Sequence, residues 1–424
     1  MSEKPLGFDT RAIHAGYAPD TDAHARVVPI YQTTAYEFDS TDHAARLFAL
    51  QETGNIYTRL MNPTTDVLEK RVSALEGGVA GLAFSSGMAA ITAVVEALCQ
   101  TGDEVVASTR LYGGTVTLLG PTMARRGITT HWVDSDDAAT FAAAITDRTK
   151  LVYLETIGNP NLTIPDISDI AEAVHAKGVP VVIDNTTASP ALCRPLEHGA
   201  DIVIHSTTKY LNGHGNSLGG VVVDGGKFNW DDGRFPEMIE PDEAYHGVRY
   251  VEAYGPAALA QRVRVRVLRD TGATQSPFNA FLTLLGVETL SLRMQRHSEN
   301  ALAVAKYLSA HPKVGWVLYP ALESHPSHAN AIKYLCGGAS GMIGFGIKGG
   351  IEAGGRFINN LQLLGHVANI GDARSLAIHP ASTTHQQLTP EEQEHAGVTP
   401  DFVRLSIGLE TIDDILADID QALG

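Results

Sequence analysis

From about residue 66 onward, apolar positions along the chain fall into two alternating rhythms. In 66–76 they recur at helical spacing, with Val67, Leu68, Val72 and Leu75 on one side. Short strand-like runs follow at 81–84, 104–107, 129–133, 151–155, 180–184, 201–205 and 220–223. Helical stretches such as 88–99 and 167–176 separate several of them. Strands that are apolar throughout and alternate with helices predict an α/β protein with a mainly parallel, seven-stranded sheet covered on both faces.

The flanking regions depart from that rhythm. Residues 1–65 mix Pro, Thr, Tyr and short polar stretches without sustained periodicity, and are expected to form an extended arm that reaches a neighbouring subunit. Residues 227–275 contain Asp231-Asp232-Gly233, several prolines and many Tyr and Gly, and read as irregular with short helices. Beyond them 278–310 is strongly helical. Strand-like 315–318, 342–347 and 402–406 follow, with helices that include 351–364 and 411–423. The expected organisation is an arm (1–65), a large domain (66–275) and a smaller C-terminal α/β domain (276–424). A chain of 424 residues exceeds one ordinary core, which agrees with two domains.

Composition narrows the function classes. The formal net charge of −17 argues against a nucleic-acid partner, because binding phosphates needs clustered Lys and Arg. One basic run, Arg262, Arg264, Arg266 and Arg269, is read as a solvated or interface face. Cys99, Cys193 and Cys336 lie far apart with no CxxC pair, so neither a disulfide framework nor a zinc site is expected. No apolar run has the length of a signal peptide or a bilayer span, and the expected location is cytoplasmic. The 17 histidines form no HxxxH or HExxH spacing with carboxylate partners, and no metal is expected.

The residues with chemistry to offer fall at strand ends, where open parallel sheets bind their ligands. Asp184 closes the strand PVVID. Ser206, Thr208 and Lys209 follow DIVIH, and Ser85-Ser86-Gly87-Met88 follows GLAF and opens a helix. A lysine in an apolar pocket has its charged form disfavoured, which frees its amine to form a Schiff base with pyridoxal phosphate (PLP). PLP also needs an anion against its ring nitrogen, which Asp184 supplies. Its phosphate needs backbone N–H donors at a helix start, which SSGM supplies, with hydroxyls from Ser206 and Thr208. Singly, Lys209 reads as a solvated loop lysine and Ser86 as a plain helix cap. Together they describe one cofactor site, and no GxGxxG follows an early strand to favour a nicotinamide instead.

At these residues the chain resembles the Cys/Met-metabolism PLP-dependent enzymes, a group that includes cystathionine synthases and lyases, methionine lyases and homoserine-ester sulfhydrylases. The matching stretches are YTRLMNPT (57–64), SSGMAA (85–90), LYGGT (111–115), ETIGNPN (155–161), VVIDNT (181–186), HSTTKYLNGH (205–214), HPAS (379–382) and RLSIGLE (404–410). The insert at about 225–275 and the run 371–388 most resemble the O-acetylhomoserine sulfhydrylase branch. The resemblance implies the type I PLP fold and a homotetramer of two catalytic dimers. By motif, Tyr57 and Arg59 would reach the phosphate in the partner's site and Tyr112 would stack on the ring and exchange a proton. Asn159 would contact the 3′-oxygen, Arg404 would clamp the substrate carboxylate, and Ser375 would help hold it. Some lyase relatives carry Glu at the position of Arg374; a cation there suits a less zwitterionic substrate than cystathionine.

The activity this implies is γ-replacement: O-acetyl-L-homoserine and sulfide, or a small thiol, give L-homocysteine, or methionine, and acetate. The alternatives are a cystathionine γ-synthase or γ-lyase of the same family, and a catalytically silent PLP-fold binding or regulatory protein.

Overall fold

The seven apolar runs assemble into one sheet. The computed structural model describes residues 6–19, 23–383, 386 and 397–424; positions 384, 385, 387 and 388 of the 371–388 run lie outside the described residues. The strands are β1 (Ala80–Phe84), β2 (Glu104–Ser108), β3 (Thr129–Val133), β4 (Thr149–Glu155), β5 (Val181–Asp184), β6 (Ile202–His205) and β7 (Gly220–Asp224). Their order is β1-β7-β6-β5-β4-β2-β3, and β7 alone runs against its neighbours.

Burial on both faces explains the apolar character of the central strands, whereas the edge strand β3 stays partly exposed. Val152, Leu154, Val181, Ile183 and Val203 join one core, while Leu151, Tyr153, Val182, Ile202 and Ile204 join the core on the opposite face.

A second sheet has the order β10-β11-β12-β9-β8. Its strands are β8 (Val314–Leu318), β9 (Met342–Ile347), β10 (Gly365–His366), β11 (Leu376–Ile378) and β12 (Phe402–Ser406). β10 and β11 are two and three residues long, too short to carry a period, and the sequence reading did not include them. The helical stretch 278–310 is two helices, Pro277–Val287 and Leu290–Ala310. Leu290 and Met294 of the second pack into the first sheet's core, whereas Ala301, Val304 and Leu308 pack into the second sheet's. One helix therefore joins the two sheets.

The flanking regions differ from their sequence reading in two respects. The arm contains helices at Phe8–His14 and Thr41–Phe48. The basic run also points largely inward rather than forming a solvated face. Arg264 pairs with buried Glu69 at 2.5 Å and donates to the Leu60 carbonyl, Arg262 donates to the Ala97 carbonyl, and Arg266 faces Asp242 at 3.5 Å. Residues 250–271 are nearly continuous helical turns that lay Leu259, Val263 and Val267 into the core over helix Gly87–Leu98. The arginines between those apolar positions find carboxylates and carbonyls at the rim of that core.

Arg293 holds the turn that follows Lys209. It is buried, faces no carboxylate among the described residues, and donates to the carbonyls of Tyr210 (2.8 Å), Gly286 (2.6 Å) and Leu211 (3.4 Å). Burial lowers its pKa to about 10. Arg293→Met would orphan those carbonyls while relieving a buried charge. The net expectation is a loss of about 2 kcal/mol in unfolding free energy, read from urea denaturation.

Candidate active site

A cavity of about 260 Å³ opens at the carboxyl ends of β4, β5 and β6, closed on its far side by β12 and the loop 368–370. A larger hollow of about 590 Å³ lies against His175, Asp201 and Phe228, at the other ends of β5 and β6. None of the residues singled out for chemistry lines it. The smaller cavity is lined by Ser86, Gly87, Met88, Tyr112, Asn159, Asp184, Ser206, Thr208, Lys209 and Arg404. Residues spread over more than 300 positions of sequence thus meet in one place, because β5, β6 and the β1 turn end at the same edge of one sheet.

Local structure sets each of these side chains. Ser86 caps helix Gly87–Leu98, accepting from the Ala89 N–H at 3.1 Å. A Cβ on Gly87 would lie 2.7 Å from the Cβ of Ser206, so only glycine lets the helix start approach the Lys209 turn this closely. The Ser206 N–H donates to the Thr186 hydroxyl at 2.7 Å, and the Thr208 hydroxyl accepts from the Gly219 N–H at 3.1 Å.

Charge in the cavity is unbalanced locally. Burial, and next the Arg404 guanidinium, lower the Lys209 pKa to about 8, and its amine donates to the side-chain oxygen of Asn369. Arg404 itself is pulled down to about 10 by burial. It donates to Asn159 Oδ1 at 3.0 Å and to the Asn369 carbonyl at 3.5 Å, and it makes no ion pair with a carboxylate among the described residues.

Asp184 and Glu155 sit side by side, as register partners at the ends of β5 and β4. Burial pushes both carboxyls up, and the Asp184 charge pushes Glu155 further. Asp184 accepts from the Thr186 N–H at 2.9 Å and Tyr153 donates to it at 3.5 Å. Of the pair, Glu155 is pushed up the more, because the Asp184 charge adds to its burial.

Several sequence-derived residues stand elsewhere. Tyr57 and Arg59 lie outside this cavity; Tyr57 is exposed and the Arg59 guanidinium lies 5.5 Å over its ring. Ser375 is also away from the cavity wall. Its hydroxyl donates to Glu410 at 2.8 Å and accepts from the Gly408 N–H at 2.8 Å, which ties two loops together. Arg374 is exposed, lies outside the cavity lining and pairs with Asp372 at 2.9 Å. Glu155, Thr186 and Asn369 line the cavity and were missed as site residues. Glu155 stood inside a quoted motif, and its two oxygens accept from the Tyr112 N–H (2.7 Å) and the Asn159 N–H (3.2 Å). Asn369 had no signal, since no periodic element contains it.

The donor set suits PLP: an amine near neutrality, a buried carboxyl, a helix start with adjacent hydroxyls, and a buried guanidinium left for a further anion. Comparison with known proteins agrees. A family model described as Cys/Met metabolism PLP-dependent enzyme matches residues 9–424. An O-acetyl-L-homoserine sulfhydrylase of Leptospira meyeri is 55% identical, covering 98% of this chain and 96% of its own. A homocysteine synthase of Schizosaccharomyces pombe is 52% identical over 98% of each chain. A crystal structure from Campylobacter jejuni, provisionally assigned as an O-acetylhomoserine (thiol)-lyase, superposes with a TM-score of 0.95 at 41% identity, covering 99% of this chain and 100% of that one; it carries PLP as a pyridoxyl-lysine adduct. By sequence, fold and the contents of its cavity, this chain belongs to the Cys/Met-metabolism PLP-dependent enzyme family.

Proposed function

We propose that the protein carries out γ-replacement on O-acetyl-L-homoserine, with sulfide or a small thiol as donor, giving L-homocysteine or methionine and acetate. The observation that carries this reading is Arg404, a buried guanidinium without a carboxylate partner among the described residues, in the same cavity as Lys209. An amino-acid carboxylate is the anion its planar fork fits. The names of the relatives support the acetyl ester and the sulfur donor.

PLP, when bound, supplies the electron sink that makes protons next to the substrate amine removable. The chain supplies the rest. Lys209, Asp184, Ser86, Gly87, Met88, Ser206, Thr208, Tyr112 and Asn159 would hold the cofactor, and Arg404 would orient the substrate. Asp184 would face the ring nitrogen with its carboxyl group. The neutral Lys209 amine takes and returns a proton at the substrate Cα, and at Cγ the bond to acetate oxygen gives way to one to sulfur. Tyr112 stands half-exposed at the mouth, with its backbone fixed by Glu155, where it can pass a proton to the substrate. Tyr57 and Arg59 would complete the neighbouring site in a homotetramer of two catalytic dimers. Exposed Val27, Phe48 and Tyr57 on residues 1–65 support burial of that segment by assembly. No helix among the described residues is long and apolar enough to cross a membrane, and we place the enzyme in the cytoplasm. The parts are then the arm (1–65), the PLP-binding domain (66–275) and the C-terminal domain (276–424).

The test is a product assay of the holoenzyme with O-acetyl-L-homoserine and sulfide, run beside acyl-serine, cystathionine and cysteine. Homocysteine and acetate are the expected products. Release of a 2-oxo acid and ammonia without thiol would replace this reading with a lyase, and cystathionine formation would replace it with a synthase.

A second test concerns the lysine. Because its pKa is lowered to about 8, the neutral amine predominates above that pH. In the cofactor-free protein, labelling of Lys209 by an amine-acylating reagent should rise about tenfold per pH unit up to about pH 8 and then level off. Surface lysines should keep rising well beyond that. A Lys209 profile that follows theirs would rule out the lowered value.

A further inference from the structure

Beneath the cavity floor lies a polar chain that the proposed chemistry does not use. Glu76, Thr156, Asn185 and His205 are each fully buried. Glu76 Oε1 accepts from Asn185 Nδ2 at 2.8 Å and lies 2.6 Å from His205 Nε2. The Thr156 hydroxyl donates to Asn185 Oδ1 at 2.8 Å. Each strand-end member is next in sequence to a residue of the cavity wall: Thr156 to Glu155, Asn185 to Asp184, His205 to Ser206. Side chains alternate across an extended backbone, so a residue facing the cavity has a neighbour facing away. The backbone ladder also runs one step past the strands here, with the Thr156 N–H donating to the Asp184 carbonyl and the Asn185 N–H to the Ile204 carbonyl.

Stability alone does not account for this arrangement. Glu76 ends helix Pro63–Glu76, where the helix dipole disfavours a negative charge. Well-packed apolar residues usually replace a buried ion pair at no loss of stability. Glu76 Oε2 and His205 Nδ1 also have no hydrogen-bond partner among the described residues, and orphaned polar atoms of this kind are costly in a core. What the chain does accomplish is to cross-link the ends of β4, β5 and β6 just behind the side chains that meet in the cavity. A charge on His205 would in addition favour the ionised form of Asp184.

We propose that Glu76, acting with His205, Asn185 and Thr156, is a positioning residue that sets Asp184 and the Ser206–Lys209 turn for the bound cofactor. The proposal rests on the assignment of Asp184 to the ring nitrogen and of Lys209 to the PLP linkage made above.

The experiment uses holoenzyme of the wild type, Glu76→Gln, Thr156→Val and, as a control, Val72→Ala. Val72 is buried on the same helix but lies outside the network and the cavity. Three readouts are taken: melting temperature, the rate at which PLP is lost on dilution, and the pH titration of the visible absorption of bound PLP. Glu76→Gln should lose PLP roughly tenfold faster, as when outer partners of a bound group are removed, with a displaced pH midpoint of the visible band. Thr156→Val, which leaves the Glu76–His205 pair intact, should move both in the same direction by less. Val72→Ala should lower the melting temperature while leaving PLP loss and the titration at wild-type values. If Glu76→Gln cannot be folded, Thr156→Val decides by the same criterion. Network variants that change PLP loss only in step with melting temperature, as the control does, would overturn the proposal. A visible band that survives in Lys209→Ala would instead overturn the reading of the site itself.

Discussion

Lys209→Ala should purify without the visible absorption of the PLP-bound enzyme and should turn over O-acetyl-L-homoserine at least about 10⁴-fold more slowly. The size follows from the two roles proposed for one position: the amine that would link to the cofactor, and the base that would move the proton at Cα. The same variant separates chemistry from folding. In the cofactor-free protein, burial lowers the Lys209 pKa from 10.5 to about 8, so the fold disfavours the charged amine. That cost is fully present below about pH 8, shrinks as pH rises from there, and is gone above the unfolded value of 10.5. At pH 7 it amounts to about 3 kcal/mol at most. Cofactor-free Lys209→Ala should therefore melt no lower than cofactor-free wild type at pH 7, despite the atoms removed. A colourless variant that is also markedly less stable would mean that colour was lost through misfolding, and the assignment would fail.

Arg404→Met should raise KM for the acyl-homoserine about a hundredfold, equivalent to roughly 3 kcal/mol, with a smaller change in kcat. The guanidinium is buried, braced by Asn159 Oδ1 and the Asn369 carbonyl, and without a carboxylate to neutralise it among the described residues. Arg404→Lys should recover little of the loss, since an ammonium cannot make two parallel bonds to a carboxylate. The variant also has a signature a purely structural change would lack. The Arg404 charge is the second cause of the low Lys209 pKa, so its removal should move the labelling midpoint of Lys209 upward from about 8. Steady-state kinetics and labelling on the same preparation check both. An unchanged KM would separate Arg404 from the substrate.

Much of the site was legible because its residues sit at ends of apolar strands. Asp184 after VVI, Lys209 four residues after the last strand residue of IVIH, and Gly87 at the start of a helix are local patterns. Their meeting follows from a single rule about parallel sheets. Arg404 was legible only through motif resemblance; it lies on β12, which brings it to the cavity from the second sheet. The roles of Glu155 and Asn369 were not legible. The first depends on two backbone N–H groups arriving from separate loops, and the second on a loop folding back over Lys209 from 160 positions away.

Ser375 and the basic run show the converse. Ser375 has neighbours that match the family's motif, but its hydroxyl is spent on Glu410 and Gly408. The spacing of Arg262, Arg264 and Arg266 described a charged face, but that face meets Glu69, Asp242 and free carbonyls.

By itself, the sequence determined the parts whose cause is local: burial of the central strands on both faces, the helix start at Ser86-Gly87, and the strand-end placement of Asp184 and Lys209. The tertiary structure alone decided which polar groups find partners. A hydrogen bond or ion pair depends on what comes within about 3 Å from elsewhere in the chain, and no period or motif encodes that distance. The buried link from Thr156 through Asn185 to Glu76 and His205 is the clearest instance, joining four residues that in sequence are only a threonine, an asparagine, a glutamate and a histidine next to more conspicuous neighbours.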